Sequence, residues 1–163
     1  MEIEKKFLIR TPMGFSLAGV DLINVWKIQQ QYLFDKDGYE RRIRSIKEGR
    51  KTRFSYTEKK PVSYGTREEN EREITEEEYN TLQKEAIEGK SLYKRRYRFI
   101  YNDMLYELDL YDLSNKYAII EVELSDITQD VVIPPMFELV KEVTDDRRYS
   151  NSYIAEYQKL EEV

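Results

Sequence analysis

Charged residues recur two positions apart in most of the extended stretches of this chain. The first example is Glu2, Glu4 and Lys6. In a β-strand, residues two apart point to the same side of the sheet, so these three side chains share one face while Ile3 and Phe7 lie on the other. Such a face cannot pack against an apolar core unless opposite charges lie against it.

Several other stretches carry charges of one sign only. The purely cationic and purely anionic groups are Arg42/Arg44, Lys94/Arg96/Arg98, Glu107/Asp109 and Glu121/Glu123. In an ordinary sheet the charged face is solvated, and that interpretation is the default for any one strand. A solubilising surface would, however, more often mix signs within a strand. Segregated cations suit an anionic ligand, and carboxylates suit divalent metal ions.

The pattern therefore predicts a site for a chain of phosphates together with a metal ion. Phosphoryl transfer needs mainly positioning and charge neutralisation, with little covalent help from the protein. The chain contains no His and no Cys, which excludes thiolate nucleophiles, imidazole bases and nitrogen- or sulfur-ligated zinc. Any metal must be held by oxygen, so magnesium, manganese or calcium is favoured.

Length, net charge and the lack of long apolar runs limit the classes of protein to which the chain can belong. A length of 163 residues favours a single domain over residues 1–163. The net charge of −5 argues against a nucleic-acid binder. No apolar run approaches a membrane span and the N-terminus opens with charges, so we expect a cytoplasmic protein without a membrane partner.

Periodicity and turn residues predict the elements that position these groups. Eight strands are expected, with tight turns at Asp37-Gly38 and Asn102-Asp103. A helix is predicted to begin at Thr75 and end near Gly89, and a second helix to span 151–162. Residues 11–24 are expected to form a loop with a short helical piece, and further short helical pieces are expected after Asp126 and Pro135. The predicted strands approximately span 1–9, 25–34, 39–46, 52–60, 67–74, 92–101, 104–111 and 117–124.

Both faces of these strands are explained by a closed barrel. Charged side chains would line the interior, and apolar ones such as Ile43, Leu108 and Val122 would form an outer face covered by helices. The predicted fold class is α+β, a closed eight-stranded antiparallel β-barrel that forms a tunnel.

The ordered motifs resemble the CYTH-domain, or triphosphate tunnel metalloenzyme, family over nearly the whole chain. Glu2-x-Glu4-x-Lys6 resembles the N-terminal signature of that family. The further motifs, in family order, are Arg42-x-Arg44, Thr57-x-Lys59, Arg67-x-Glu69-x-Glu71, Lys94-x-Arg96-Tyr97, Glu107-Leu108-Asp109, Glu121-Val122-Glu123, Glu142-Val143-Thr144 and Arg147-Arg148-Tyr149-x-Asn151.

The resemblance implies a barrel with a C-terminal helix near one end, and hydrolysis of inorganic tripolyphosphate, a nucleoside triphosphate or thiamine triphosphate with Mg²⁺ or Mn²⁺. The phosphate-binding residues it implies are Lys6, Arg42, Arg44, Lys59, Lys94, Arg96 and Arg148. The metal-binding residues it implies are Glu121 and Glu123, with Asp109, Glu69 or Glu71 as further ligands. Glu2 and Glu4 would lie beside a second metal or orient the attacking water, so Glu2, Glu4 and Lys6 form the implied catalytic set.

Some choices remain open at this level. Glu69, Glu71 and Glu73 share a face, so the choice of the pair that faces the metal rests on spacing. Either Arg147 or Arg148 could be the phosphate-binding arginine. Arg98 and Glu107 could line the tunnel or lie at a solvated rim. The motifs also fit an adenylate cyclase on the same scaffold, or a non-catalytic binder of polyphosphate. A triphosphate-containing small molecule is the expected partner, and the expected oligomeric state is a monomer or homodimer.

Overall fold

A computed structural model describes residues 1–12 and 19–163 of the chain. In these ranges the chain forms nine strands, two α-helices and a 3₁₀ turn at Arg147–Tyr149. The elements are β1 (Glu2–Arg10), β2 (Asp21–Lys36), β3 (Tyr39–Glu48), β4 (Lys51–Ser63), β5 (Thr66–Ile74), α1 (Glu76–Gln83), β6 (Ala86–Tyr101), β7 (Met104–Tyr111), β8 (Tyr117–Glu123), β9 (Leu139–Glu142) and α2 (Asn151–Tyr157).

The strands close into a barrel. Neighbours follow the order β5-β4-β3-β2-β6-β7-β8-β1, and β5 pairs with β1 to complete the ring. All of these pairings are antiparallel. The closing seam is short, since Glu2 pairs with Arg67 and Ile3 with Thr66, and β9 then pairs with the remaining part of the same edge of β1. The predicted eight-stranded antiparallel barrel is confirmed, with one strand more than expected.

Alternation along the strands separates charge from apolar surface as the sequence predicts. The even-numbered residues Glu4 and Lys6 of β1 point inward and are buried, as are Arg42 and Arg44 of β3. Phe7 and Ile9 point outward into an apolar cluster on the barrel wall. The tight turns at Asp37-Gly38 and Asn102-Asp103 both have two residues with positive φ, which matches the twist of the strands they join.

The outer wall is covered differently from the prediction. No helix forms after Asp126 or Pro135; an irregular segment runs across residues 124–138 and packs Ile133 and Phe137 against the wall. The predicted helical pieces are therefore wrong. The side chain of Asp126 accepts the Thr128 N–H, and Pro134 and Pro135 disfavour helical backbone before them.

Helix α1 begins where the sequence predicts but ends early. Thr75 caps it by accepting the Glu78 N–H, and Tyr79 packs on the outer wall with Leu33, Ile43 and Ile74. The helix ends at Gln83 and strand β6 begins at Ala86, so the predicted end near Gly89 is wrong. Gly89, with φ of +77°, lies instead where the pairing of β2 and β6 is interrupted, as in a β-bulge.

Helix α2 packs against β6 and covers one end of the barrel, as the family resemblance implies. Its Ile154 and Ala155 join an apolar cluster with the inward-pointing Leu8, Tyr32 and Tyr111. The helix ends at Tyr157 rather than at 162, because Gln158 adopts a left-handed backbone and its side chain bonds the carbonyl oxygens of Ser91 and Ala155. Leu160, beyond the end of the helix, is still buried, whereas Tyr157 is exposed.

The predicted loop over residues 11–24 is wrong at its end, because β2 already begins at Asp21. Residues 13–18 of that stretch lie outside the described residues, so the short helical piece expected somewhere in 11–24 stays a prediction. Within the described ranges, no helix has the length and apolar character needed to cross a membrane.

Gly65 supports a test of how the barrel seam is packed. It has φ of +66°, and a Cβ added there would lie 2.4 Å from Ile127 Cδ1 and 3.1 Å from the Glu4 carbonyl oxygen. We expect Gly65→Ala to lower the free energy of unfolding by about 2–4 kcal/mol, because left-handed strain and a steric clash add together. Denaturant unfolding measures this loss.

Gly49→Ala is the matched control. Gly49 has φ of +59° but no atom within 4 Å of the added Cβ, so this substitution isolates the backbone strain. Equal destabilisation by the two substitutions would show that the close packing at the seam contributes nothing.

Candidate functional site

A cavity of about 350 Å³ lies inside the barrel and is lined mostly by charged side chains. Its cationic lining residues are Lys6, Arg42, Arg44, Lys59, Arg67, Arg96 and Arg98. Its acidic lining residues are Glu2, Glu40, Glu69, Glu71, Glu107, Glu121 and Glu123. Trp26, Tyr32, Pro61 and the start of α2, at Ser150, Asn151 and Ser152, complete the wall. Cationic and anionic side chains thus face the same enclosed space.

One ion-paired carboxylate lies beneath this lining and does not contribute to it. Asp109 is fully buried and contacts Lys94 Nζ at 2.8 Å and Arg96 Nε at 2.7 Å through its two carboxylate oxygens. Arg96 Nη2 adds a third bond of 2.9 Å. Both oxygens of Asp109 are therefore occupied, and the carboxylate holds the guanidinium of Arg96 in place. Burial lowers the pKa of Lys94 well below its usual value, although Asp109 opposes that shift.

Arg42 and Arg44 on β3 carry less compensated charge. Arg44 is buried and donates Nε to Gln30 at 3.0 Å, with no carboxylate within ion-pair distance among the described residues. Burial, together with the neighbouring Arg42 and Arg96, lowers the pKa of Arg44 to about 10. Arg42 lies 3.8 Å from Glu69, and its Nε is buried without a hydrogen-bond partner. These donors are suited to an incoming anion.

A crowded group of carboxylates lies across the seam between β1 and β5. Glu2 hydrogen-bonds Glu69, and Lys59 lies 3.5 Å from Glu2 and 3.7 Å from Glu69. Burial and this hydrogen bond raise the pKa of Glu2. Burial opposes ionisation of Glu69, but the hydrogen bond to Glu2 and the cations Lys59 and Arg42 lower its pKa. The hydrogen bond between the two carboxyl groups therefore shifts their pKa values in opposite directions.

Glu4 is the most perturbed member of this group. Arg67 Nη1 lies 3.3 Å from its Oε1, yet burial first, and then the charges of Glu121 and Glu2, outweigh the nearby cations and raise the pKa of Glu4 to about 8. The positive charge now beside Glu4 is therefore too small to offset its burial and the neighbouring carboxylates.

Glu121 and Glu123 on β8 differ in their surroundings. Glu121 lies 3.5 Å from Lys6 and 3.8 Å from Arg96, and these cations lower its pKa well below the usual value against the effect of burial. Glu123 has no such partner in the described ranges; burial and the charge of Glu107 raise its pKa. Glu123 is thus a free oxygen donor at the edge of the cavity.

The carboxylates fit a hard divalent cation by donor type and by charge. Glu69 Oε2 is buried without a hydrogen-bond partner, and Glu2, Glu4 and Glu123 all have raised pKa values, so a cation among them would relieve their repulsion. The cations that now contact this group are Lys59 at Glu2 and Glu69, Arg42 at Glu69, and Arg67 at Glu4. Within the described part of the chain, no three acidic residues are already grouped as a metal site.

Most residues predicted from the sequence meet in or directly beneath this cavity, and one does not. Arg148 is exposed and pairs with Asp146 at 2.7 Å, away from the cavity lining. The alternative, Arg147, borders a separate cavity of about 420 Å³ that also contacts Lys6 and Arg67. Lys94 and Asp109 lie in the layer beneath the lining.

The predicted set omits Arg67, Trp26 and Glu40, all of which line the cavity. Arg67 shares the face of Glu69, so its position two residues before a predicted ligand was an available signal. Trp26 lies at the rim, where the guanidinium carbons of Arg53 and Arg98 are 4.6 Å and 4.5 Å from its ring centre. Arg98 and Glu107, left open by the sequence, line the cavity and pair with each other at 3.1 Å.

Comparison with solved structures identifies the family. Two structures of the protein NE1496 are similar to the chain: one is 31% identical over 96% of this chain and 98% of that chain, with a TM-score of 0.59. The other, described as the inorganic triphosphatase NE1496, is 30% identical over 96% of this chain and 95% of that chain, also with a TM-score of 0.59. A protein of Pyrococcus horikoshii, PH1819, shares the fold at 19% identity over 77% of this chain and 79% of that chain, with a TM-score of 0.62. No protein-family model and no curated protein matches.

The tunnel-like barrel with a charged interior defines the class of protein. The sequence identity with NE1496, about 30% over nearly the whole chain, defines the family. The chain belongs to the CYTH-domain family of triphosphate tunnel metalloenzymes. The resemblance stated from the sequence motifs is confirmed.

The raised pKa of Glu4 predicts a pH-dependent stability. Its carboxyl has a pKa of about 8 in the folded state and about 4.3 when unfolded. Between these values the folded state binds more protons than the unfolded state, so stability falls as pH rises from about 4 to 8. Each pKa unit corresponds to about 1.4 kcal/mol. With divalent ions chelated, we expect Glu4→Gln to resemble the unmodified protein near pH 4 and to be more stable at pH 9.

Thermal unfolding across this pH range measures the difference between the two proteins. Glu88→Gln removes one exposed carboxylate of the outer wall and controls for net charge. A constant difference between Glu4→Gln and the unmodified protein at all pH values would contradict the prediction.

Proposed function

We propose that this protein hydrolyses a triphosphate inside the barrel with the help of Mg²⁺ or Mn²⁺. The observation that carries the proposal is the pair Arg42 and Arg44, whose buried and incompletely compensated charge faces crowded carboxylates in one cavity. The description of the similar protein NE1496 as an inorganic triphosphatase supports the same chemistry. Inorganic tripolyphosphate is therefore the first substrate to test.

The cations would bind and orient the phosphate chain. Arg42, Arg44 and Lys59 line one side of the cavity, and Lys6 and Arg96 line another, so phosphate oxygens between them would accept hydrogen bonds from both sides. Guanidinium groups are planar donors that match phosphate oxygens in pairs. Asp109, which holds Arg96 from beneath and is itself paired with Lys94, would keep this donor set rigid.

Water would attack a terminal phosphorus and displace the remaining phosphates. The new P–O bond forms as the P–O–P anhydride bond breaks, giving orthophosphate and pyrophosphate from tripolyphosphate. The water proton would pass to a carboxylate, and Glu2 or Glu4 is suited to accept it because burial raises the pKa of each. The cations facing the cavity would stabilise the negative charge that collects on the leaving phosphates.

The metal would be held by carboxylates of the cavity. Glu121 and Glu123 are the principal candidates, with Glu69, Glu71, Glu2 and Glu4 as further donors; Asp109 is less available because both of its oxygens are occupied. When bound, the ion would neutralise phosphate oxygens and favour ionisation of nearby water. The raised pKa values of Glu2, Glu4 and Glu123 would fall as the ion binds, so affinity for the metal should increase with pH.

Metal dependence is the direct test. Orthophosphate and pyrophosphate release from tripolyphosphate, ATP and thiamine triphosphate would be measured with Mg²⁺, with Mn²⁺ and with a chelator. We expect turnover only with metal, and at least about a 100-fold loss in Glu121→Gln/Glu123→Gln, because a metal contributes several kcal/mol of charge stabilisation.

Glu77→Gln, in the exposed first turn of α1, is the matched control and should retain full activity. Activity that survives the double substitution or the chelator would refute the metal-dependent mechanism. Pyrophosphate with cyclic AMP from ATP would indicate a cyclase instead, and binding without turnover would indicate a binding module.

Two adjacent arginines test the placement of the phosphate chain. Arg42 points into the cavity, whereas Arg41 points outward, where it bonds Tyr56 and Phe34. We expect Arg42→Gln to lower kcat/KM for tripolyphosphate by about 10- to 100-fold, the usual effect of losing hydrogen bonds to a charged group. Arg41→Gln should leave kcat/KM within about twofold. Similar losses for both variants would show that the inward face of β3 has no special role.

A further inference from the structure

Three distant segments meet at the seam where the barrel closes. The β4–β5 hairpin contributes Gly65 and Arg67, β1 contributes Glu4, and the loop after β9 contributes Asp145. The Glu4 N–H donates to the Gly65 carbonyl oxygen at 3.0 Å, and the Gly65 N–H donates to Asp145 Oδ2 at 2.6 Å. The direct pairing of β1 with β5 covers only two residue pairs, so these bonds extend a short seam.

The same carboxylate also reaches a cavity residue. Asp145 Oδ1 lies 3.8 Å from Arg67 Nη2, while Arg67 Nη1 lies 3.3 Å from Glu4 Oε1. Arg67 lines the cavity, and only 7% of the Glu4 side chain is exposed. Asp145 itself does not line the central cavity. Asp145 therefore reaches the Glu4 side chain through Arg67, and the Glu4 backbone through Gly65.

The left-handed backbone conformation of Asp145 indicates that the contacts of its carboxylate have a structural role. Asp145 has φ of +58°, in the left-handed region where glycine is more favourable than a residue with a Cβ. Asp tolerates this conformation better than most residues but still at an energetic cost. Since its two oxygens contact Gly65 and Arg67, the carboxylate offsets a backbone strain that glycine would avoid.

We propose that Asp145 is a positioning residue that holds Arg67 against Glu4 and so fixes the carboxylate group at the barrel seam. Its contribution to turnover rests on the triphosphatase function proposed above; its hold on Arg67 does not. Without Asp145, Arg67 has one carboxylate partner instead of two and can turn into the cavity, where it would alter both Glu4 and the bound phosphates.

Two substitutions separate the roles of the Asp145 carboxylate. Asp145→Asn retains an oxygen that can accept the Gly65 N–H and tolerates positive φ, but it removes the charge facing Arg67. Asp145→Gly removes both contacts while relieving the backbone strain. We expect kcat/KM to fall about 10- to 100-fold in both variants, the effect usual for residues that orient the groups around a metal, while the melting temperature changes little.

Glu142→Gln is the matched control. Glu142 accepts the Tyr64 hydroxyl at 2.6 Å, so it anchors the same hairpin to the same C-terminal segment without contacting Arg67. Its activity should stay within about twofold of the unmodified protein. In an Arg67→Gln background, Asp145→Asn should have little further effect, because residues acting through a shared partner are not additive.

Three kinetic results would overturn the proposal: full activity in Asp145→Asn, an equal loss in Glu142→Gln, or the same loss with and without Arg67. If the unmodified protein turns over no triphosphate, the triphosphatase function fails, and the NMR signal of the Arg67 Nε–H group decides the positioning role. That signal should shift in Asp145→Asn and not in Glu142→Gln. An unchanged Arg67 signal in Asp145→Asn would overturn the proposal whatever the reaction.

Discussion

Charge compensation inside the barrel is the constraint on which the rest of this structure depends. Placing cations and carboxylates out of water costs several kcal/mol per ion unless partners with good geometry are present. The fully buried Asp109 meets this requirement for Lys94 and Arg96 at once, with three contacts of 2.7 to 2.9 Å. Because its pKa is lowered by Arg96 and Lys94 against the effect of burial, Asp109 stays ionised and the group stays assembled. The inward-pointing charges thereby form a fixed layer on which the cavity is built.

Each charged group in that layer has a close partner of opposite sign, whereas compensation is poorer above it. Arg44 has a glutamine rather than a carboxylate as its partner, Arg42 retains a buried Nε without an acceptor, and Glu4 has a pKa of about 8. Incompletely compensated arginines and crowded carboxylates thus lie at the same cavity. An anionic phosphate chain would compensate the arginines, and a divalent cation would compensate the carboxylates. This complementarity, more than any single residue, is why the proposed function requires both ligands together.

Barrel closure brings the crowded carboxylates together. Strands β1 and β5, which carry most of the crowded carboxylates, lie at opposite ends of the pairing order and meet only at the short seam. The hairpin residue Gly65 and the loop residue Asp145 extend that seam through hydrogen bonds. At the far end, α2 and the inward-pointing Leu8 and Tyr32 form an apolar cluster, so one end of the interior follows ordinary core packing. The packing of this apolar end can offset the free-energy cost of burying incompletely compensated charges elsewhere in the barrel.

The sequence by itself determined the faces of the strands and the family. Period-two alternation places Arg42 and Arg44 inward and Ile43 outward wherever the strand lies in the barrel, because side-chain direction is local. Local turn chemistry likewise determined the hairpins at Asp37-Gly38 and Asn102-Asp103. Only the tertiary structure decided which inward charges neutralise each other. Asp109 and Glu123 both lie on inward faces of their strands, yet Asp109 is enclosed by two cations whereas Glu123 has a raised pKa. Alternation along one strand also does not encode how distant segments pack. That packing decides the contact of Asp145 with Arg67, the irregular segment over residues 124–138 and the position of Arg148 outside the cavity.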